Sequence, residues 1–141
     1  MFLGHFVDEE KEGFIELAKL MIAADGVFAP EEIAMFESIL HELNIKGDVE
    51  IVNATLESAC AHISRPEARV FALLELATIA FIDHDYGESE KALLASICEE
   101  WNMATDLLPL VEGWAQRRIT LTTDVGKILS VFVPKPKPIE I

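Results

Sequence analysis

The chain has 141 residues, 51% hydrophobic and 26% charged, a globular balance that excludes general disorder and suffices for a core without staples. Twenty-five acidic residues face eleven basic ones for a net −14; residues 124–141 hold three Lys against Asp124 and Glu140 (+1), leaving −15 on residues 1–123. Such a field repels nucleic-acid phosphates and anionic lipid and draws cations or a basic protein partner, and no apolar stretch approaches the ~18 residues of a membrane span.

Glycine and proline fall between the apolar stripes, so the chain reads as a series of helices. The first covers about Asp8 to Ala24, with Phe14, Ala18, Met21 and Ile22 on one face and Gly26 as a left-handed cap. Pro30 opens the second, whose stripe is Ile33, Phe36, Ile39, Leu40 and Leu43, and Asn44 and Gly47 stop it. A third is expected over Asp48 to His62, on the weaker stripe Ile51, Ala54, Thr55 and Ser58. Ser64 reads as the N-cap of a fourth, with Pro66 and Glu67 in its first turn, running to about Ile82. A fifth spans about Glu88 to Trp101. The sixth follows Thr105 and ends near Ile119, with Pro109 pointing to a later start.

Residues 120–133 carry Ile128, Leu129, Val131, Phe132 and Val133, which suit either a short helix or an extended arm. Lys-Pro-Lys-Pro at 135–138 favours polyproline II. The expected class is all-α: a single compact bundle of six to seven helices over residues 1–123, with an apolar arm and Lys/Pro tail over 124–141.

Sliding the chain by 58 positions lays Asp25–Ile45 on Asp83–Met103 without a gap, with seven of 21 positions identical. The matches are Asp25/Asp83, Glu32/Glu90, Ala34/Ala92, Ser38/Ser96, Ile39/Ile97, Glu42/Glu100 and Asn44/Asn102. An internal repeat accounts for this, with units of about 8–45 and 66–103 forming two helical hairpins about a pseudo-two-fold axis. Helical spacing continues the apolar face of the first helix into Asp25, and that of the fourth into Asp83. Glu32 and Glu90 begin apolar rows of their own, so all four carboxylates are expected to point inward at the loop end of each hairpin.

Three accounts fit inward carboxylates. The glutamates stand near the third helical position, where they can cap backbone donors and meet the positive dipole end. The aspartates can pair with free N–H groups of the next helix, or with Arg or Lys. A cation held between aspartate and glutamate would offset their repulsion; with oxygen ligands only (Asp85, Glu31 and Glu88 as supplements), Ca²⁺, Mg²⁺ or Mn²⁺ fits. The loop Asp83-His84-Asp85-Tyr86-Gly87 lacks the spacing of an EF-hand.

These residues resemble a family. Ile22-Ala23-Ala24-Asp25-Gly26 followed by Pro30-Glu31-Glu32, with the recurrence at Asp83 and Glu90, is similar to the TerB-like domain of tellurite-resistance proteins, over residues 10 to 120. The resemblance implies a helical bundle of two related halves, a role in the response to tellurite and other oxidants, and metal chelation by Asp25, Glu32, Asp83 and Glu90. His84 replaces the glycine that Gly26 supplies in the first unit, so the second site departs from the pattern.

No nucleophile–base pair, phosphate-cradling glycine loop or basic aromatic strip is present in the sequence, so a binding protein rather than an enzyme is expected. Cys60 and Cys98 lie at apolar helix positions and read as buried thiols, and Arg117 and Arg118 read as dipole-favoured residues ending the sixth helix. Residues 1–8 lack a secretory signal pattern, which with two cysteines suggests the cytoplasm. The second functional reading is a metal-free acidic adaptor for protein–protein interaction, motivated by Trp101, Trp114 and the apolar arm, which also suits homodimer formation.

Overall fold

A computed structural model describes residues 2–26, 28–45, 55–82 and 85–132. Among them are six helices and no strand: α1 (Asp8–Ala23), α2 (Pro30–Glu42), α3 (Leu56–Ala61), α4 (Pro66–Phe81), α5 (Glu88–Glu100) and α6 (Leu108–Phe132), with 3₁₀ turns at Leu3–His5 and Thr105–Leu107.

The helix starts follow from local chemistry. Proline takes the first position of α2 and α4, where its missing N–H costs nothing. Glutamate takes the third position of α1, α2 and α5 (Glu10, Glu32, Glu90), close to the positive dipole end. Thr55 caps α3 by accepting from the Ser58 N–H at 3.3 Å. Thr55 is extended, so α3 starts there and the helix expected over Asp48 to His62 is much shorter than its stripe suggested; residues 48–54 lie outside the described residues. The α4 cap is Arg65 rather than Ser64, one residue later than expected.

Duplication reaches well beyond the matched loops. α1 and α4 both have 16 residues, α2 and α5 both have 13, and each pair starts and ends 58 positions apart. The ends match as well. Asn44 (φ 59°) and Asn102 (φ 54°) are left-handed, a conformation asparagine adopts more readily than most residues. Behind them the Ile45 N–H donates to the Leu40 carbonyl at 2.9 Å and the Met103 N–H to the Cys98 carbonyl at 2.8 Å, the six-to-one bond of a Schellman ending.

α1 packs on α3 and α4, and α4 in turn packs on α6, so the first helix of each unit carries the third. α4 is apolar nearly all round (Ala68, Ala72, Leu73, Leu76, Ala77, Ile79, Ala80) and runs through the centre. Gly13 lets α3 approach α1: a Cβ there would stand 2.7 Å from the Ala59 carbonyl oxygen and 2.8 Å from His62 Cβ. Trp101 closes the far side, its indole N–H donating to the Cys60 carbonyl at 3.0 Å. The N-terminal turn joins the same core through Leu3 and Phe6.

α6 departs from expectation. It starts at Leu108, with Pro109 harmless in its first turn, and continues past Ile119 as one helix to Phe132. Its last buried residue is Ile119, so the 120–132 part of the ambiguous segment is a helical overhang rather than an extended arm; 133–141 lie outside the described residues. No proline interrupts it before Pro134, and Thr120, Thr122 and Thr123 turn their hydroxyls back onto carbonyls four residues earlier. At 1.5 Å per residue α6 is about 37 Å long. None of the described helices is long and apolar enough to cross a membrane.

Candidate functional site

The four carboxylates singled out by periodicity do not share one environment. Glu32 and Glu90 are buried, at 2% and 1% exposure, as expected. Asp25 is exposed, which corrects its expected inward orientation. The cause is local: α1 ends at Ala23, Asp25 belongs to the turn that Gly26 (φ 74°) completes, and helical spacing no longer applies. Asp85 is also exposed, and Asp83 and His84 lie outside the described residues.

Glu90 has a defined task. Its Oε2 accepts the Gly87 N–H at 2.9 Å, closing the first turn of α5 on itself. Glu10, which periodicity did not single out, does the same for α1, accepting the Val7 N–H at 2.9 Å. Arg65 then clamps that carboxylate: Nε donates to Oε2 at 2.8 Å, Nη2 to Oε1 at 2.6 Å, and Nη2 also to the His5 carbonyl at 2.8 Å. The Arg65 hydrogen bonds hold the Glu10 carboxyl below its usual range, against the opposing effect of burial. Among the described residues no group of three or more His, Cys, Asp or Glu is placed to hold a metal ion.

A second ion pair, missed in the sequence, joins α4 to α6. Glu75 is fully buried; its Oε1 accepts the Phe2 N–H at 2.9 Å and its Oε2 accepts Arg118 Nη1 at 3.0 Å. Burial alone would raise the Glu75 pKa, but the Phe2 N–H and the Arg118 guanidinium outweigh it and hold it below the usual range. Arg118 also donates to Thr78 Oγ1 at 3.2 Å and lies 5.5 Å over the Trp114 ring. Phe2 stacks on Phe71 at 4.8 Å beside Trp114. Arg118 is therefore a structural cation inside α6, not a residue ending it. Nothing in a helical wheel of α4 marks Glu75 except its position within an apolar face.

The thiols are chemically quiet. Burial, reinforced by Glu100, pushes the Cys60 thiol up to about 12, and burial pushes Cys98 up as well.

Most of the exposed large apolar side chains lie on α6. Leu121, Val125, Ile128, Leu129 and Phe132 are between 54% (Val125) and 79% (Phe132) exposed. Trp114, Arg117, Arg118, Leu121, Thr122 and Val125 line a concavity of about 480 Å³ where the helix leaves the body. Charge is uneven along the chain: residues 1–107 hold 22 acidic and six basic residues (−16), whereas residues 120–132 hold only Asp124 and Lys127. The chain is thus an acidic body with an apolar helical arm of no net charge. No protein-family model, curated protein or solved structure matches the chain.

Proposed function

We propose that the protein is a non-enzymatic helical adaptor that acts by binding protein through the α6 arm. The observation that carries this reading is the row of exposed apolar side chains from Leu121 to Phe132, continuing a helix whose buried part ends at Ile119. Monomeric surfaces rarely leave a contiguous apolar stripe on a helix that extends beyond its own core.

The test is truncation after Thr123. If the arm serves binding and not folding, the shortened chain at low micromolar concentration keeps its melting temperature within about two degrees and its body helicity by circular dichroism. A loss of ten degrees or more refutes the reading, because the arm would then be part of the fold.

Cation binding at Asp25, Glu32, Asp83 and Glu90, with the TerB-like stress role it implies, ranks second. Burial of both glutamates at matched places favours it. Capping gives an independent reason for that burial at Glu90, and the exposure of Asp25 argues against a closed oxygen cage in the first unit. Millimolar Ca²⁺, Mg²⁺ or Mn²⁺ would raise the melting temperature if a site exists, and Asp25→Asn with Asp83→Asn would abolish the rise.

A further inference from the structure

The spacing along α6 says more than that it is apolar. Trp114, Arg118, Leu121, Val125, Ile128 and Phe132 follow one another at intervals of four, three, four, three and four, the seam of a two-helix coiled coil. That series is symmetric about position 123. Reversed end to end, it lays Trp114 on Phe132, Arg118 on Ile128 and Leu121 on Val125. A helix with this seam is complementary to its own antiparallel copy.

We propose that α6 pairs with α6 of a second copy of this chain, antiparallel, with Phe132 of each copy seated in the partner's groove beside Trp114. The inference rests on the reading that the arm binds protein, and it commits to the occupant. Three observations support a second copy in this direction. The first is the symmetric seam. The second is charge: a parallel pair would set two bodies of −16 side by side, whereas the antiparallel pair sends them to opposite ends and brings together arms of no net charge. The third is area. The four exposed apolar seam residues, Leu121, Val125, Ile128 and Phe132, offer roughly 450 Å² per copy, short of the ~800 Å² per partner of a stable interface, and the groove of about 480 Å³ beside Trp114 lies where the antiparallel register supplies the remainder. In that register the Ile128 side chain of one copy lies over the Arg118 stem of the other, whose guanidinium stays on Glu75.

The experiment uses the full chain in sedimentation velocity from 5 to 500 µM, with a nitroxide placed at Ser130→Cys for the distance. Cys60 and Cys98 are buried and remain unlabelled in the folded protein. The expected result is a concentration-dependent dimer that tightens as salt screens the bodies, with labels about 27–35 Å apart across antiparallel helices. Ile128→Asp, at an exposed position, should weaken the dimer at least tenfold without changing the circular dichroism spectrum, and Ser130→Asp on the outer face should not. A chain that stays monomeric at 500 µM overturns the proposal, as does one that binds phosphatidylcholine vesicles only as a monomer. Label separation of about 16–25 Å, as in a parallel pair, or a dimer indifferent to Ile128→Asp, also overturns it. Failure here is distinct from failure of the adaptor reading: a monomer whose truncated form keeps its melting temperature leaves the arm open to another protein, whereas a truncated form that melts early removes both.

Discussion

Arg118→Met tests whether the Glu75–Arg118 pair is a pillar of the fold. Glu75 is fully buried and pairs with the Arg118 guanidinium, whose side chain is 19% exposed, 3.0 Å away. Removing Arg118 takes the guanidinium from a carboxylate that stays in the core, and breaking a buried pair from one side costs about 3–5 kcal/mol. Loss of the stacking on Trp114 adds to this, while the methionine stem restores some packing, so about 3 kcal/mol is expected. For a chain of this length that is roughly a 10 °C fall in melting temperature. Urea unfolding at pH 7 and 1 µM measures it. The double variant Glu75→Met with Arg118→Met should regain most of the loss, because apolar replacement of a buried pair is close to neutral. The pH dependence has a fixed sign. The folded Glu75 pKa is depressed, so wild-type stability from this group is present above the unfolded carboxylate value of 4.5 and is lost as pH falls through the lower folded value. The Arg118→Met deficit should therefore shrink in acid. A single variant as stable as the wild type at pH 7, or a deficit that grows on acidification, refutes the reasoning.

Three further outcomes follow from the same packing. Gly13→Ala places a Cβ 2.7 Å from the Ala59 carbonyl oxygen, so α1 and α3 must separate; a net loss of about 1–3 kcal/mol is expected by urea unfolding, despite the better helix propensity of alanine. Glu90→Ala should cost about 1 kcal/mol and Glu90→Gln nearly nothing, since an amide oxygen also accepts the Gly87 N–H, and thermal unfolding in excess chelator separates the two. Cys60, with its thiol pushed up to about 12, should resist alkylation by iodoacetamide at pH 8 in the native state and react at once in 6 M guanidinium; rapid native labelling would show that α3 opens.

The sequence disclosed what depends on regular spacing and punctuation. α1, α2, α4 and α5 stand within a residue or two of their apolar stripes, with proline, glycine or asparagine at the end of α1, both ends of α2, the start of α4 and both ends of α5. Repetition at 58 positions was legible from seven identities and extends to whole helices because both hairpins solve the same packing problem. Spacing failed where the helix itself stopped. Helical spacing aims Asp25 inward only along a helix, and α1 ends two residues earlier. The overhang of α6 was obscure for the opposite reason: an apolar run normally signals burial, and here it has no partner within the chain to bury against. Ion pairs such as Glu10–Arg65 and Glu75–Arg118 lie 55 and 43 residues apart, and no local pattern encodes which arginine finds which glutamate.

The buried glutamates show how two physical demands produce one sequence signature. A duplicated hairpin that starts its second helix with an inward carboxylate looks like half of a metal site, because oxygen ligands at a loop end are what a cation needs. A helix start needs the same atom in the same place, for its orphan N–H groups and its positive dipole end. α1 separates the demands. It has no preceding Asp-Gly loop and no counterpart of Asp25, yet it also carries a buried glutamate at its third position, and Glu10 there accepts a backbone N–H and pairs with Arg65. Where the loop aspartate is missing the glutamate is still present, so the demand common to α1 and α5 is the helix start. An invariable need of the backbone is thereby enough to place acid groups at repeated inward positions, and an argument for a cation must rest on the aspartates instead. Of these, Asp25 is exposed. The exposed seam of α6 has no such backbone explanation, since a helix gains nothing locally from placing Leu121, Val125, Ile128 and Phe132 in water at coiled-coil spacing.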